Sequence, residues 1–292
     1  MLTRPKLTLA EVLAQDSQKL RQALDLDPRE SRLEIQILLC HALGVARSWL
    51  IGHDRDDLAE APTQAYAVLL ARRLAGEPIA YIVGSREFFG LEFITTPAVL
   101  IPRPETELLV ELALARIPDN QPCKVLDLGT GSGAIAISIA RNRPLAAVTA
   151  VDQPQEALAV ARNNAARLEV SNLRLLRSDW LGALDAEIFD LIVSNPPYVE
   201  AADPHLQQGD VRFEPLSALA SGADGLDDIR RIAAAAPHHL KPGGWLLFEH
   251  GYNQGEGCRE ILRRQGFCKV ESIRDLAGLE RVSMGLRAEK PG

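Results

Sequence analysis

Apolar side chains recur at helical spacing through roughly the first 75 residues of the chain. Thr8 and Glu11 have the spacing of a capping box, and they begin one such pattern. Ser31 and Glu34 repeat the signal ahead of a second apolar pattern, and a third helix is predicted from about residue 62 to residue 75. The pattern therefore predicts a small helical N-terminal domain, residues 1–78.

The run Gly76-Glu77-Pro78 interrupts the helical spacing. Two short apolar runs follow it, at residues 81–84 and 88–94, and they predict the two strands of a β-hairpin. We assign residues 79–103 to this hairpin and to the linker after it.

A proline-stiffened segment, residues 100–107, leads directly into the next predicted helix. Glu105 and Glu107 fall near the N-terminal end of that helix, where negative charge is favoured. This structural explanation does not extend to Arg103, which lies between two prolines and is free to point at a ligand.

From Lys124 onward, short apolar strands alternate with helical patterns, which is typical of a parallel sheet with helices on both faces. Seven strands are predicted, at residues 125–128, 147–152, 173–176, 189–194, 245–249, 269–273 and 281–286. The main predicted helices begin near Ala134, Pro154, Asp227 and Glu256. We therefore predict an α/β fold whose main domain, residues 104–292, is a doubly wound, Rossmann-like sheet of seven strands.

Composition narrows the class of protein. Of the 292 residues, 47% are hydrophobic and 24% are charged, and the net charge of −7 disfavours bare nucleic acid as the main partner. No apolar run approaches the roughly 18 residues of a membrane span, and the first six residues lack the apolar core of a signal peptide. The four cysteines contain no CxxC pair, so we expect no metal, no disulfide and a cytoplasmic location.

Ligands of open α/β sheets bind beyond the carboxyl ends of the strands. The first predicted strand of this sheet is followed by a glycine loop and a helix N-terminus, where the backbone can approach an anionic ligand closely. The predicted cofactor-binding residues of this loop are Gly129, Thr130, Gly131, Ser132 and Gly133. Their spacing differs from the Gly-x-Gly-x-x-Gly of dinucleotide-binding proteins and disfavours a nicotinamide cofactor.

Acidic residues end the next two strands. Asp152 is placed to accept hydrogen bonds from the hydroxyls of a ribose, although a helix-capping aspartate would occupy the same position. Asp179 and Trp180 follow the third strand, where the carboxylate can accept from an adenine NH2 group and the indole can pack on the ring. A turn aspartate beside a core tryptophan is the alternative. Asp127, within the first strand, supports the glycine loop or reaches the amino group of the ligand.

The fourth strand ends in Asn195-Pro196-Pro197-Tyr198, a segment that we call the shelf. The two prolines stop the strand and stiffen the backbone, so the side-chain oxygen of Asn195 and the carbonyl oxygen of Pro196 stand as two acceptors. Tyr198 supplies a flat wall beside them. This arrangement suits a planar NH2 group, whereas an ordinary Asn-Pro turn is the structural alternative.

Together, these strand ends resemble the class I S-adenosylmethionine-dependent methyltransferases. The resemblance implies S-adenosylmethionine as cofactor and S-adenosylhomocysteine as product, with methionine at the glycine loop, ribose at Asp152 and adenine at Asp179 and Trp180. The shelf tetrapeptide matches methyltransferases that act on planar amide or exocyclic nitrogens. Asn195 would then lie beside the sulfonium methyl group, in contact with both cofactor and substrate.

The resemblance narrows to the release-factor glutamine methyltransferase family (HemK/PrmC), and it covers essentially the whole chain. It rests on residues 100–107 and on four shorter motifs, namely Glu87-Phe88 with Gly90, Glu214-Pro215 with Ala218-Leu219, Gly222 with Asp224-Gly225-Leu226, and Asp275-Leu276-Ala277-Gly278. One departure is His250, which stands between Glu249 and Gly251 where the family pattern implies an aliphatic residue.

The family implies in-line methylation of the glutamine side-chain nitrogen in the Gly-Gly-Gln motif of peptide-chain release factors. Asn195 and Pro196 would accept the two N–H groups of the amide, and Tyr198 would pack on its plane, which makes these the implied catalytic residues. Pro197 and Arg103 complete the implied substrate-binding set. The helical domain would hold the release factor.

Four other functions remain open. A methyltransferase of nucleic-acid exocyclic amines (adenine N6 or guanine N2) would place a flipped base on the shelf, but it predicts a basic face. A ribosomal-protein glutamine methyltransferase differs mainly in the N-terminal domain and the Arg103 segment. A cofactor-binding module without catalysis would not need the shelf, and a dehydrogenase would need a catalytic residue that no motif places beside the glycine loop. We expect a monomer that makes no direct contact with nucleic acid or membrane.

Overall fold

The computed structural model describes residues 7–57 and 60–289, with the backbone alone for Glu60 and Ala61. The chain divides into two compact units. One comprises Met1–Gly84 together with the short segment Gln207–Phe213, and the other comprises Ser85–Leu206 and Glu214–Gly292. We call them the helical unit and the sheet unit. The functional domain boundaries predicted at residues 78 and 103 stay predictions.

The helical unit contains five α-helices in its described residues. Their bounds are α1 Leu9–Leu24, α2 Pro28–Leu43, α3 Arg47–Gly52, α4 Glu60–Leu74 and α5 Ile79–Val83. The capping box is confirmed, because the backbone N–H of Thr8 donates to Glu11 Oε2 at 2.8 Å and that of Glu11 donates to Thr8 Oγ1 at 3.3 Å. The short α3 was not predicted.

Two sequence predictions about this unit are wrong. The second helix is capped by Asp27 and not by Ser31, because Asp27 accepts from the backbone N–H groups of Arg29 and Glu30 while Pro28 fits the first turn. The predicted strand at residues 81–84 is helical, since α5 is closed by Gly84 in the left-handed region at φ 78°. The apolar residues of this run, such as Ile82, join the helical core instead of a sheet.

The sheet unit begins with an antiparallel hairpin of β1 Ser85–Phe88 and β2 Leu91–Ile94. The predicted second strand, residues 88–94, is therefore divided by a tight turn. Phe89 and Gly90 form that turn with φ values of 52° and 73°, the two successive positive angles of a type I′ hairpin. A helical turn at Pro104–Thr106 leads into α6 Glu107–Leu114, as the acidic residues there predicted.

The seven-stranded sheet is confirmed. Its strands are β3 Cys123–Leu128, β4 Ala146–Asp152, β5 Leu173–Arg177, β6 Phe189–Ser194, β7 Leu240–Glu249, β8 Phe267–Arg274 and β9 Glu280–Arg287. They lie in the order β5-β4-β3-β6-β7-β9-β8, with β9 antiparallel to both of its neighbours. The strand order reverses between β3 and β6, which is where ligands of such sheets bind.

Helices cover both faces of this sheet. They are α6 and α7 Ala134–Asn142, α8 Gln155–Arg167, α9 Asp227–His239 and α10 Gly255–Arg264. Two buried apolar clusters lie on opposite sides, one including Val125 and Ile137, the other including Leu126 and Ile232. The alternation of Val125 and Leu126 between the clusters is that of a strand buried on both faces. Among the described residues, no helix has the length and apolar character to cross a membrane.

Candidate active site

The glycine loop connects β3 to α7 with three left-handed residues. Gly129, Gly131 and Gly133 have φ values of 70°, 55° and 83°. A Cβ at Gly129 would lie 3.2 Å from the indole of Trp180, so glycine lets the loop and that ring approach closely. Thr130 ties the loop to the sheet, since its Oγ1 donates to Asp127 Oδ2 at 2.6 Å and its backbone N–H donates to Val151 at 2.9 Å. Of the two predicted roles of Asp127, the structure shows the support of the loop.

Asp127 is fully buried in β3, and this burial raises the pKa of its carboxyl to about 7. The hydroxyl of Thr130 opposes the shift by donating to the ionised form, whereas the charge of Asp152 adds to it. Asp127 does not line the cavity described below, although Thr130 does.

Asp152 ends β4 and fixes the other side of the loop. Its Oδ2 accepts from the backbone N–H of Gly131 at 2.7 Å, and its Oδ1 accepts from the N–H of Gln153 at 2.8 Å. Burial raises the pKa of Asp152, and these two backbone donors oppose the increase. Each carboxylate oxygen retains a lone pair for a ligand hydroxyl.

Asp179 and Trp180 follow β5, and both are held by α9, which sequence reasoning did not connect to them. The indole Nε1 of Trp180 donates to Asp228 Oδ1 at 3.0 Å, and Ser221 donates to Asp228 Oδ2 at 2.7 Å. Asp179 Oδ2 accepts from Arg231 at 2.9 Å. The acidic first turn of α9 was the available signal, but the helix N-terminus itself explains acids there.

A cavity of about 350 Å³ lies at the carboxyl end of the sheet, which is within the usual range of small-molecule sites. Ten of the predicted site residues line it: Arg103, Gly129, Thr130, Gly131, Ser132, Asp152, Asp179, Trp180, Asn195 and Pro197. Gly133, Pro196 and Tyr198 are not among its lining residues. Most of the predicted site residues therefore lie in the cavity wall, which they reach from four strand ends and from the linker before α6, and the cavity has further lining residues that were not predicted.

The shelf leaves β6 and is held from several sides. The backbone N–H groups of Tyr198 and Val199 donate to the carbonyl of Leu219 at 3.1 and 2.8 Å, and Gln254 Nε2 donates to the Tyr198 carbonyl at 2.9 Å. Asn195 Nδ2 donates to Thr106 Oγ1 at 3.1 Å. Within the described part of the chain, no donor is hydrogen-bonded to Asn195 Oδ1 or to the Pro196 carbonyl. The two predicted acceptors are thus unengaged.

Tyr198 contacts a buried carboxylate that sequence reasoning did not assign to the site. The Tyr198 hydroxyl donates to Glu249 Oε1 at 3.1 Å, and Glu249 is 1% exposed at the end of β7. Burial raises the pKa of Glu249, and the hydroxyls of Thr106 and Tyr198 oppose the increase. Burial and the Glu249 charge in turn raise the pKa of Tyr198, which keeps its proton.

The structure corrects one expectation about Arg103, because its guanidinium is not free. Its Nη2 donates to Glu214 Oε1, and Glu214 also accepts from the backbone N–H of Ile101 at 3.0 Å. Arg103 thereby fastens the proline-rich segment while it still lines the cavity. Its predicted contact with substrate stays a prediction.

His250 is buried beside Glu249 and has two partners. Its Nδ1 contacts the Gly251 carbonyl at 2.8 Å, and its Nε2 contacts Ser283 Oγ at 2.9 Å. Burial lowers the pKa of His250, so the ring stays neutral, donating from Nδ1 and accepting at Nε2. The imidazole therefore serves the packing of β7 against β9.

The residues present fit an adenosyl cofactor. The backbone approach at Gly129, the carboxylate at Asp152 and the indole at Trp180 line one cavity of suitable size. With this strand order and the cavity at its switch point, the protein is a class I S-adenosylmethionine-dependent methyltransferase.

Comparison with known proteins identifies the family. The PrmC N-terminal domain family matches residues 11–84, and the methyltransferase small domain family matches residues 104–210. The chain is 53% identical over 260 residues to a release factor glutamine methyltransferase of Bordetella pertussis, covering 89% of this chain and 96% of that one. A protein of the same name from Vibrio cholerae serotype O1 is 48% identical and covers 96% of both chains. The chain belongs to the release factor glutamine methyltransferase family.

Solved structures agree on the fold. A methyltransferase from Pyrococcus furiosus superposes with a TM-score of 0.53 at 22% identity, covering 75% of this chain and 98% of that one. At this identity the likeness supports the sheet and its strand order, and the family assignment rests on the sequence relatives.

Proposed function

We propose that this protein methylates the side-chain nitrogen of the glutamine in the Gly-Gly-Gln motif of peptide-chain release factors. The observation that carries the proposal is the pair of unengaged acceptors on the shelf, Asn195 Oδ1 and the Pro196 carbonyl. A primary amide presents two N–H donors in one plane, so its geometry matches two fixed acceptors. The name shared by the relatives, release factor glutamine methyltransferase, supports the choice of substrate.

The cavity residues would hold the cofactor as the sequence predicts. The glycine loop faces the methionine portion, the lone pairs of Asp152 take the ribose hydroxyls, and Asp179 and Trp180 take the adenine. When bound, S-adenosylmethionine supplies an electrophilic methyl group. Asn195 lines the same cavity, so it is placed to contact both cofactor and substrate.

Catalysis by this chain is mainly orientation of a weak nucleophile. A carboxamide nitrogen donates its lone pair to its own carbonyl, and no side chain near the shelf is a base strong enough to deprotonate it. Asn195 and Pro196 would hold the N–H groups so that the nitrogen faces the cavity, and they would stabilise positive charge that grows on it. Such alignment supplies on the order of 7–11 kcal/mol in the best intramolecular models.

The proposal extends to partners and location. The helical unit, which carries the PrmC N-terminal domain, would bind the release factor, and the enzyme would act as a monomer without direct contact to nucleic acid. All four cysteines lie in the described residues and carry free thiols, which suits a reducing cytoplasm.

The test is incubation of the purified protein with S-adenosylmethionine and a release factor, followed by mass spectrometry of the Gly-Gly-Gln peptide. We expect one added methyl group on the glutamine, and none when that glutamine is replaced by alanine. DNA, tRNA and ribosomal proteins are offered in parallel. If only nucleic acid is methylated, the proposal is wrong and the result supports a methyltransferase of nucleic-acid exocyclic amines instead.

Asn195→Ala tests the role of the shelf in the same assay. We expect kcat to fall by about 100-fold or more, because one acceptor for the developing charge is lost. The cofactor dissociation constant should change by less than about threefold, since a single contact at the cavity edge is removed. Asn142→Ala, at an exposed position on α7, is the matched control. Full turnover by Asn195→Ala would refute the role of Asn195.

A further inference from the structure

The chain that leaves the shelf runs beside a second segment and is bonded to it through the backbone. Val199 donates to the Leu219 carbonyl at 2.8 Å and accepts from the backbone N–H of Ser221 at 2.9 Å, which is the pattern of a parallel bridge. The carbonyl of Tyr198 takes no part in these backbone bonds. The last carbonyl of the shelf is therefore held by something else.

The side chain of Gln254, the residue before α10, holds that carbonyl. Its Nε2 donates to the Tyr198 carbonyl at 2.9 Å and to the Asp224 carbonyl at 3.2 Å, and its Oε1 accepts from the backbone N–H of Gly251 at 2.8 Å. A carbonyl only accepts and a backbone N–H only donates, so a rotated amide would oppose like groups on every side. The Gln254 amide therefore has one orientation.

A glycine lets the neighbouring loop approach this amide. Gly225 has φ 73°, and a Cβ at this position would lie 2.2 Å from the Tyr198 carbonyl oxygen and 2.6 Å from Gln254 Nε2. Any side chain there would push the loop off the end of the shelf. The motif of Gly222 with residues 224–226, which the sequence analysis singled out, thus packs its backbone against the shelf. We call the Gln254 amide and the backbone of residues 224–225 the clamp.

A shift of Tyr198 would reach the two acceptors of the shelf. Pro196 and Pro197 have fixed φ angles, so few torsions between Asn195 and Tyr198 can absorb a displacement. Transfer of a methyl group needs the nucleophile in line, and a misplacement of about 1 Å can lower a rate by about 100-fold. The clamp therefore bears on alignment even though Gln254 does not line the cavity.

We propose that Gln254 is a positioning residue that, by holding the Tyr198 carbonyl, keeps Asn195 Oδ1 and the Pro196 carbonyl aligned for methyl transfer. The proposal rests on the proposed function, in which these two acceptors receive the N–H groups of the substrate amide, and deepens it. Gln254 acts through the shelf backbone and touches neither substrate nor cofactor.

Gln254→Glu tests the donor with almost no change in shape. An ionised carboxylate still accepts from Gly251 but has no proton for the Tyr198 carbonyl, whereas the protonated acid restores one donor. We expect the single-turnover rate of methyl transfer, relative to wild type at the same pH, to be about tenfold lower or less at about pH 8.5. This ratio should rise by at least about threefold towards about pH 5.5, because the carbonyls around the introduced carboxyl favour its protonated form.

Two further readouts separate positioning from general damage. The rate is taken per molecule that binds S-adenosylhomocysteine in calorimetric titration, so unfolded protein does not count, and the affinity for this ligand should stay within about threefold of wild type. Gln265→Glu, the same change at an exposed position after α10, should match wild type at every pH. A wild-type rate for Gln254→Glu at pH 8.5, or a loss that does not vary with pH, would overturn the proposal.

Gly225→Ala disturbs the clamp and leaves Gln254 in place, so it does not depend on the folding of a Gln254 variant. We expect the single-turnover rate to fall by about tenfold or more, with the affinity for S-adenosylhomocysteine again within about threefold of wild type. Gly266→Ala is the matched control, because Gly266 has φ 80° and nothing within 4 Å of an added Cβ. Equal rates in the two glycine variants would show that contact with the Tyr198 carbonyl has no effect and would refute the proposal.

The wild-type arm of these assays is independent of the variants. Failure of wild type to methylate the Gly-Gly-Gln glutamine refutes the proposed function. Normal methylation by wild type, together with unchanged rates in Gln254→Glu and Gly225→Ala, refutes only the positioning role.

Discussion

Asp152 at the end of β4 and Gly131 in the glycine loop are joined by a 2.7 Å hydrogen bond from the Gly131 backbone N–H to Asp152 Oδ2. The same carboxylate accepts from Gln153 through Oδ1, so each of its oxygens is needed as an acceptor before any ligand arrives. The acid that is predicted to bind ribose therefore also shapes the loop that is predicted to approach the rest of the cofactor.

Asp152→Asn should disturb both contacts. The amide NH2 cannot accept, so it must face one of the two backbone donors and displace either the loop or Gln153. We expect the cofactor dissociation constant to rise by at least about tenfold in calorimetric titration. Asp185→Asn, at an exposed turn position, should bind as wild type. Unchanged affinity in Asp152→Asn would contradict the dual role.

Asp228 should control cofactor affinity through Trp180. In Asp228→Ala the indole loses its charged acceptor and is free to leave the position that it holds over Gly129. Because hydrogen bonds to charged groups contribute about 1.5–3 kcal/mol, we expect affinity to fall by about tenfold or more, measured by titration with S-adenosylhomocysteine. The neighbouring Asp227→Ala removes an exposed carboxylate paired with Arg230 and should have little effect. Equal losses in the two variants would exclude a specific role for Asp228.

Asp127 should make stability depend on pH. Its pKa is about 7 in the folded protein and about 3.8 in the unfolded chain, so the folded state binds more protons between these values. Stability from this group is therefore lost as pH rises from about 4 through 7. Asp127→Asn removes the effect. The free energy of unfolding of this variant, relative to that of wild type at the same pH, should therefore rise by about 2 kcal/mol as the pH increases from about 5.5 to about 8.5.

The measurement for Asp127 is thermal unfolding at several pH values. A rise of about 2 kcal/mol corresponds to several degrees in the melting temperature. Asp119→Asn, at a side chain that is 82% exposed, should show a difference from wild type that does not vary with pH. A pH-independent difference for Asp127→Asn would show that Asp127 ionises normally in the fold.

Removal of Arg73 should destabilise the helical unit. Its side chain is 2% exposed, and it donates to Glu34 at 2.7 Å and to Asp210 at 2.9 Å. Arg73→Ala leaves these carboxylates without their counter-ion and should cost about 3–5 kcal/mol in urea unfolding. Arg72→Ala removes a 40%-exposed partner of Glu77 and should cost at most about 1 kcal/mol. Similar costs for both would contradict a stabilising role for the buried pair.

Features that depend on local sequence were predictable, and those that depend on distant partners were not. The capping box of Thr8 and Glu11 lies within one turn of a helix, and the strands of the sheet were visible as apolar runs. The start of α2 was mistaken because Asp27 and Ser31 both fit a cap, and a buried Glu34 resembles a capping glutamate in sequence. The helix at Ile79–Val83 has only five residues, which is too short for any period to distinguish helix from strand.

In the candidate site, too, the features that follow from local sequence were predictable and those that depend on distant partners were not. The glycine loop, Asp152 and Asn195 were predicted because strand ends of a parallel sheet meet at one edge. Thr106 and Glu249 were not assigned roles, because they reach the shelf from positions 89 residues before Asn195 and 51 residues after Tyr198. Thr106 lies within the proline-rich segment at residues 100–107, and Glu249 precedes the unusual His250, but neither motif shows what its side chain contacts. Only the folded chain brings the hydroxyl of Thr106 to Asn195 and the carboxylate of Glu249 to Tyr198.

The segment Gln207–Phe213 has a consequence for the synthesis of the chain. It belongs to the helical unit although more than a hundred residues separate it from Gly84, and it supplies Asp210 to Arg73. A nascent chain that has emerged only as far as Gly84 holds all five helices described for that unit but lacks this carboxylate. The N-terminal helices therefore leave the ribosome without one partner of Arg73, and the Arg73–Asp210 ion pair forms only after the strand that leads into the shelf has been synthesised.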